Sequence, residues 1–283
     1  MSPVRPCSRM SCRGLALATL LVCAAALPAA AQDRTKICLW NVGGQAGMTA
    51  ASAALQHKIH GWRDLVRVIA SGSVSGLGIY EAKSLVGRDH PRSGWLLANV
   101  AGSVSENAAA GRHPLAQVGY TVGPVRLRFS MPRLDRERAA WVSAYASVFE
   151  AVALADAISR GGTPRWRDGL IAFNRPLRPD DEHIGVTAGV FPSVYVPDRI
   201  VWLHEFTHAV QALQLDVPEP PSPWHRLRFD RASGRHTRVF AFEQIKIGMF
   251  SFANTAYLNL RPYDKRWVES EAYQLTAPSD PWR

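Results

Sequence analysis

Asp198 to Gln214 runs without a proline or a glycine, directly after Pro197, whose fixed φ suits a first helical position. A helix here is the strongest constraint on the fold. At about 100° per residue, Leu203, Phe206, Val210 and Leu213 gather on one stripe that must be buried. His204 and His208, four apart, stack together on roughly the opposite side, with Glu205 flanking them. The segment reads HExxH, so both imidazoles reach one ion. At this chain's His and Glu content such a match arises by accident only about 0.01 times.

The spacing dictates the chemistry. Two neutral imidazoles one turn apart fill adjacent corners of a zinc tetrahedron, and Glu205, left unligated, is placed as general base toward a zinc-bound water. A catalytic zinc also needs a third protein donor and an open position. A metzincin would continue HExxHxxGxxH, but Gln211 stands where its Gly belongs and Gln214 where its third His belongs, which excludes that class. Downstream, Trp267-Val268-Glu269-Ser270-Glu271-Ala272-Tyr273 lies in a stretch of helical character from Lys265 to Thr276 and offers two carboxylates. On a helix they point about 200° apart, so only one of Glu269 and Glu271 faces the metal. The other is solvated or holds a ligand histidine from behind.

HEFTHAVQ followed by a helical ExEA resembles the gluzincin branch of the zincin-like metallopeptidases, over about twenty of the 283 residues. The resemblance implies a Glu on a second helix as third ligand. Families with that Glu three residues before the Ala point to Glu269, which we prefer; the thermolysin-like pattern, with Glu directly before Ala, would choose Glu271. It also implies an α+β fold, with a small sheet packed on the HExxH helix and a mostly helical C-terminal part. Many such helices carry an Asp four residues after the ligand to orient a histidine. Here Tyr273 or Leu275 occupies that place, which leaves the orienting group unassigned.

The rest of the chain is less explicit. Lys36 to Val42 reads as a strand, Gly43-Gly44 with Gly47 as a tight turn, and the Ala-rich stretch ending near His60 as helical. Ser71 to Gly123, rich in Gly, Ser and Ala, yields no assignable element. Asp135 to Ser159 has the broad apolar face of a core helix closed by Gly161-Gly162. Leu170 to Phe173 and Ile184 to Val190 read as strands around a Pro-rich acidic turn, Asp180 to His183, that is best solvated. Between the two metal-bearing helices, Val217 to Pro223 forms a stiff loop, and Leu227 to Phe229 with Val239 to Phe242 suggests a hairpin. His225, His236, Tyr257 and Tyr263 are available as proton donors to an oxyanion, although none has a spacing that singles it out. Trp202 and Trp267 suit packing between the two helices.

At the amino end, Arg5, Arg9 and Arg13 precede an apolar run from Leu15 to Leu27 that closes on Ala29-Ala30-Ala31. Residues 1–31 thus read as a secretory signal peptide; the run is shorter than the roughly 20 residues a membrane span needs, and no other segment supplies a transmembrane anchor. Export to the periplasm or cell exterior follows as an expectation. Cys7, Cys12 and Cys23 would leave with the signal, and Cys38 alone makes no internal disulfide. The formal charge of +10 is dispersed among acids without a basic run or aromatic-basic module, so nucleic acid is not an expected partner.

Residues 32–130 form an N-terminal region of unclear fold and 131–283 a zincin-like metallohydrolase region, unless 32–283 is one continuous domain. The expected function is that of an exported zinc metallopeptidase acting on protein or peptide, or on a cell-envelope polymer. The alternative is a non-catalytic zinc-containing envelope scaffold. The expected site is Glu205 as base with His204, His208 and Glu269 on zinc.

Overall fold

The computed structural model describes residues 34–131, 133–134, 140–174, 185–195, 198–215, 238–262 and 266–276. Among the described residues three long helices come first: α1 (Arg34–Leu55), α2 (Trp62–Gly87) and α3 (Pro91–Ala109). The strand expected at Lys36 to Val42 and the turn at Gly43-Gly44 are both wrong, since all of these residues lie inside α1. The reason is visible in what α1 buries. Ile37, Asn41, Gln45, Thr49 and Ser52 follow helical spacing, but four of the five are polar, while Leu39 faces solvent. A pattern search for apolar residues finds no period in such a helix.

The stretch from Ser71 to Gly123 is likewise ordered, as most of α2, all of α3 and the strand β1 (Gln117–Val122). Its small residues bring backbones together. A Cβ on Gly72 would lie 2.7 Å from Ala46 Cα, and one on Gly76 2.6 Å from Val42 Cα. Helix α2 therefore packs on α1 at a distance that only glycine permits at those two positions.

After β1 come β2 (Val125–Ser130), β3 (Ala140–Ser147) and α4 (Val148–Ser159). Of the single helix expected from Asp135 to Ser159, the described residues are strand from Ala140 to Ser147 and helix only from Val148. Ser147 ends the strand and caps the helix, its hydroxyl accepting from the Glu150 amide at 3.3 Å. Ser147 and Glu150 have the S-x-x-E spacing of a capping box, which marks the boundary in the sequence.

The remaining elements are β4 (Thr163–Arg167), β5 (Leu170–Asn174), β6 (Gly185–Ala188), β7 (Phe191–Val194), α5 (Arg199–Leu215), β8 (Arg238–Lys246), α6 (Met249–Asn259) and α7 (Trp267–Thr276). The described residues form two small four-stranded sheets, ordered β1-β2-β3-β8 and β4-β5-β7-β6. In the first, β8 joins β3 in parallel; in the second, β5 and β7 are parallel and the outer pairs antiparallel. The expected strand at Val239 to Phe242 is present within β8. The fold is mixed α+β, and the described residues after β8 are mostly helical.

Helix α5 is central. Asp198 caps it, Oδ1 accepting from the Ile200 and Val201 amides at 2.7 and 3.1 Å. Its stripe of Leu203, Phe206, Val210 and Leu213 is buried in one core with Ile79 and Val86 of α2, Trp95 of α3, and Phe173 and Phe191 of the second sheet. Phe206 meets the Trp95 and Trp202 rings edge-on at 6.0 and 5.5 Å. This shared core ties the N-terminal helices to the region expected to carry the chemistry. The first sheet is pinned to α3 differently: buried Glu106 bonds Arg126, Arg128, Lys246 and Tyr145. No helix among the described residues is long and apolar enough to cross a membrane. The signal-peptide reading of 1–31, the acidic turn at 180–183, the loop at 217–223, the strand at 227–229, and His225, His236 and Tyr263 lie outside the described residues.

Candidate metal centre

Helices α5 and α7 bring three donor atoms to one point. His208 Nε2 lies 3.1 Å from His204 Nε2, and Glu269 Oε2 lies 3.2 Å from the His208 nitrogen and 3.3 Å from that of His204. This is the group of ligand-type side chains among the described residues able to hold an ion. A tetrahedral zinc with bonds of about 2.0–2.1 Å separates its ligand atoms by about 3.3 Å, the spacing observed. Hydrogen bonds do not account for all three sides, because each Nε2 carries at most one proton and a carboxylate oxygen only accepts, so at most two of the three contacts are hydrogen bonds at once. Two imidazole nitrogens and one carboxylate oxygen are also the donor set that suits zinc.

Burial works against charge on His208, but its bond with Glu269 and the nearby Glu205 and Glu269 carboxylates carry its pKa above the ordinary value. The pocket therefore favours positive charge. The three side chains keep only 10–13% of their surface exposed, so the site is largely desolvated.

Of the two downstream carboxylates, Glu269 turns to the histidines. Glu271, on the other side of α7, is 2% exposed and bonded to Lys83 Nζ at 2.9 Å, with Asn41 Nδ2 and Gln211 Nε2 each donating to it at 2.6 Å. Glu271 thus touches neither histidine and is neither solvated nor directly behind one; it reaches His208 only through the Gln211 side chain.

Glu205 is buried beside the triad. Thr187 Oγ1, on β6, lies 2.7 Å from its Oε2 and 2.9 Å from its backbone oxygen. Burial raises the Glu205 pKa above its ordinary value, against the opposing pull of His208, the Thr187 bond and His204. A Cβ on Gly185 would come within 2.8 Å of the Glu205 side chain, so β6 approaches the carboxylate at a residue that has none.

Tyr273, in the place where an orienting Asp was sought, lies tilted against the His204 ring at a centroid distance of 4.5 Å. Trp202 packs on Phe206 and donates Nε1–H to Asp168 at 3.0 Å, whereas Trp267 meets Trp40 of α1 edge-on. Each packs its own helix onto the body rather than onto the other. Tyr257 stacks with Arg261, away from any described contact with the triad.

Sequence reasoning missed Lys83, Asn41, Thr187 and the role of Gln211. Gln211 alone left a trace, since it lies three residues after His208 on the same helical face. No family model, curated protein or solved structure matches this chain.

Proposed function

We propose that the chain is a zinc-dependent hydrolase of zincin type, acting on peptide bonds and exported by means of residues 1–31. The observation that carries the reading is the convergence of His204 Nε2, His208 Nε2 and Glu269 Oε2 at 3.1–3.3 Å beside a buried, unligated carboxylate. Zinc bound there would polarise a substrate carbonyl and acidify water. The protein's own part falls to Glu205. A carboxylate whose pKa is raised by burial accepts a proton from attacking water and returns it to the leaving amine, a role that suits a group poised nearer neutrality. Thr187 holds that carboxylate while it waits and keeps it from turning toward the cation.

Replacing Glu205 by Gln tests the reading. Loss of hydrolysis of a denatured-protein or peptide substrate, with zinc still bound, is the expected result. If the variant keeps whatever peptide-cleaving activity the wild type has, Glu205 is not the base. If the wild type binds zinc and cleaves nothing, the scaffold reading takes over.

A further inference from the structure

Behind His208 lies a buried chain of polar contacts whose direction can be worked out. His208 Nδ1 is 2.7 Å from Gln211 Oε1. The other end of that amide, Nε2, faces Val268 O at 3.0 Å and Glu271 Oε2 at 2.6 Å. A carbonyl and a carboxylate only accept, so the Gln211 amide has one permitted orientation: NH2 toward them and oxygen toward His208. An oxygen facing Nδ1 requires a proton on Nδ1. In the neutral ring, the form that ligates a metal, Nε2 then keeps its lone pair, directed toward His204 and Glu269.

Glu271 is itself fixed. Lys83 Nζ contacts both of its oxygens, at 3.0 and 2.9 Å, and also bonds Asn41 Oδ1 at 2.8 Å and Gln214 Oε1 at 2.9 Å. Lys83 is fully buried on α2, far from the histidines in sequence. Burying such a pair is a poor way to gain stability, because desolvation offsets most of the attraction and apolar residues of similar volume do as well or better. Its geometric effect is specific: it aims a carboxylate at one amide.

We propose that Gln211 is the positioning residue for the metal ligand His208, its amide locked by Glu271 and Lys83 so that His208 presents Nε2 to the ion. This rests on the metal reading above and deepens it: the N-terminal helices α1 and α2 take part in the site through Asn41 and Lys83. The lock replaces the carboxylate that more commonly stands directly behind a ligand histidine.

The test uses the full chain and Gln211→Met, which keeps length and removes both amide ends. Long-range proton–nitrogen NMR reads the His208 Nδ1–H with and without zinc, and competition against a chromophoric chelator reads zinc affinity. The expected result is a Nδ1 proton protected from solvent exchange in the wild type in both states. In the variant that protection is lost and zinc binding weakens about 10–100-fold, the usual effect of removing such a partner. A wild-type His208 that lacks a proton on Nδ1, or a variant that keeps the protected proton and binds zinc within about 3-fold of wild type, overturns the proposal. Should the variant not fold, the wild-type spectrum alone decides. A wild type that binds no zinc defeats the metal reading by itself, and the Nδ1 signal of the metal-free chain still tests the lock.

Discussion

Phe206 sits between the two histidines in sequence and on the opposite face of α5, fully buried between Trp95 and Trp202. Phe206→Ala removes a ring from a close-packed site. Large-to-small changes of this kind cost about 3–5 kcal/mol, and here the two edge-on ring contacts, each worth about 0.5–1.5 kcal/mol beyond area, place the expected loss toward the upper part of that range. For a chain of this size each kcal/mol lowers the melting temperature by about 2–4 °C, so a fall of roughly 8–20 °C is expected. Zinc should offset it. An ion that binds only the native state at about 1,000 times its dissociation constant stabilises by about 4 kcal/mol. The assay is thermal unfolding of wild type and Phe206→Ala, each in excess chelator and in zinc. A loss below about 1 kcal/mol in chelator would refute the packing, since it would mean that the ring fills no enclosed space. Recovery in zinc that persists after His204 and His208 are both changed to Ala would refute the link between this helix and the metal.

Two further outcomes follow from buried charges. Glu106 is pushed upward by burial, but Arg128, Arg126 and Lys246 outweigh this and hold its pKa well below the ordinary 4.5. A depressed folded-state pKa contributes stability that is fully present above the unfolded value and is lost as pH falls through the folded one. The urea-unfolding difference between wild type and Glu106→Gln should therefore be largest near neutrality, about 3–5 kcal/mol, and shrink below about pH 4.5; a gap that is constant or widens in acid would contradict the cluster. For Glu205→Gln the loss of a general base predicts a fall in turnover of about 10²–10⁴-fold with little change in bound zinc, checked by single-turnover kinetics beside metal analysis.

The sequence and the structure agree where burial is apolar or where spacing is local. Helix α5 announced itself because Leu203, Phe206, Val210 and Leu213 follow its period, and the His204–His208 pair is fixed by one turn of the same helix. That only one of Glu269 and Glu271 turns to the histidines followed from their spacing on one short helix, whereas the preference for Glu269 came from the gluzincin resemblance and not from the spacing. The N-terminal helices were illegible for the opposite reason. Their buried faces are written in Asn41, Gln45, Thr49, Ser75 and Lys83, residues that pattern reading assigns to solvent. The strand–helix join at Ser147 was hidden by a continuous apolar run that suits either period, although its capping pair was present. The support of the site lay beyond local reading altogether, because Lys83 and Asn41 reach Glu271 from helices remote in sequence, and no spacing encodes such a contact.

The central claim is that one divalent cation is held by His204, His208 and Glu269. Elemental analysis of the purified, dialysed chain and of its three single alanine variants measures this directly. The account predicts one equivalent of zinc in the wild type and a strong reduction in each variant, while Glu271→Gln retains the ion. No zinc in a folded wild type, or full retention after Glu269→Ala with loss in Glu271→Gln, would contradict it.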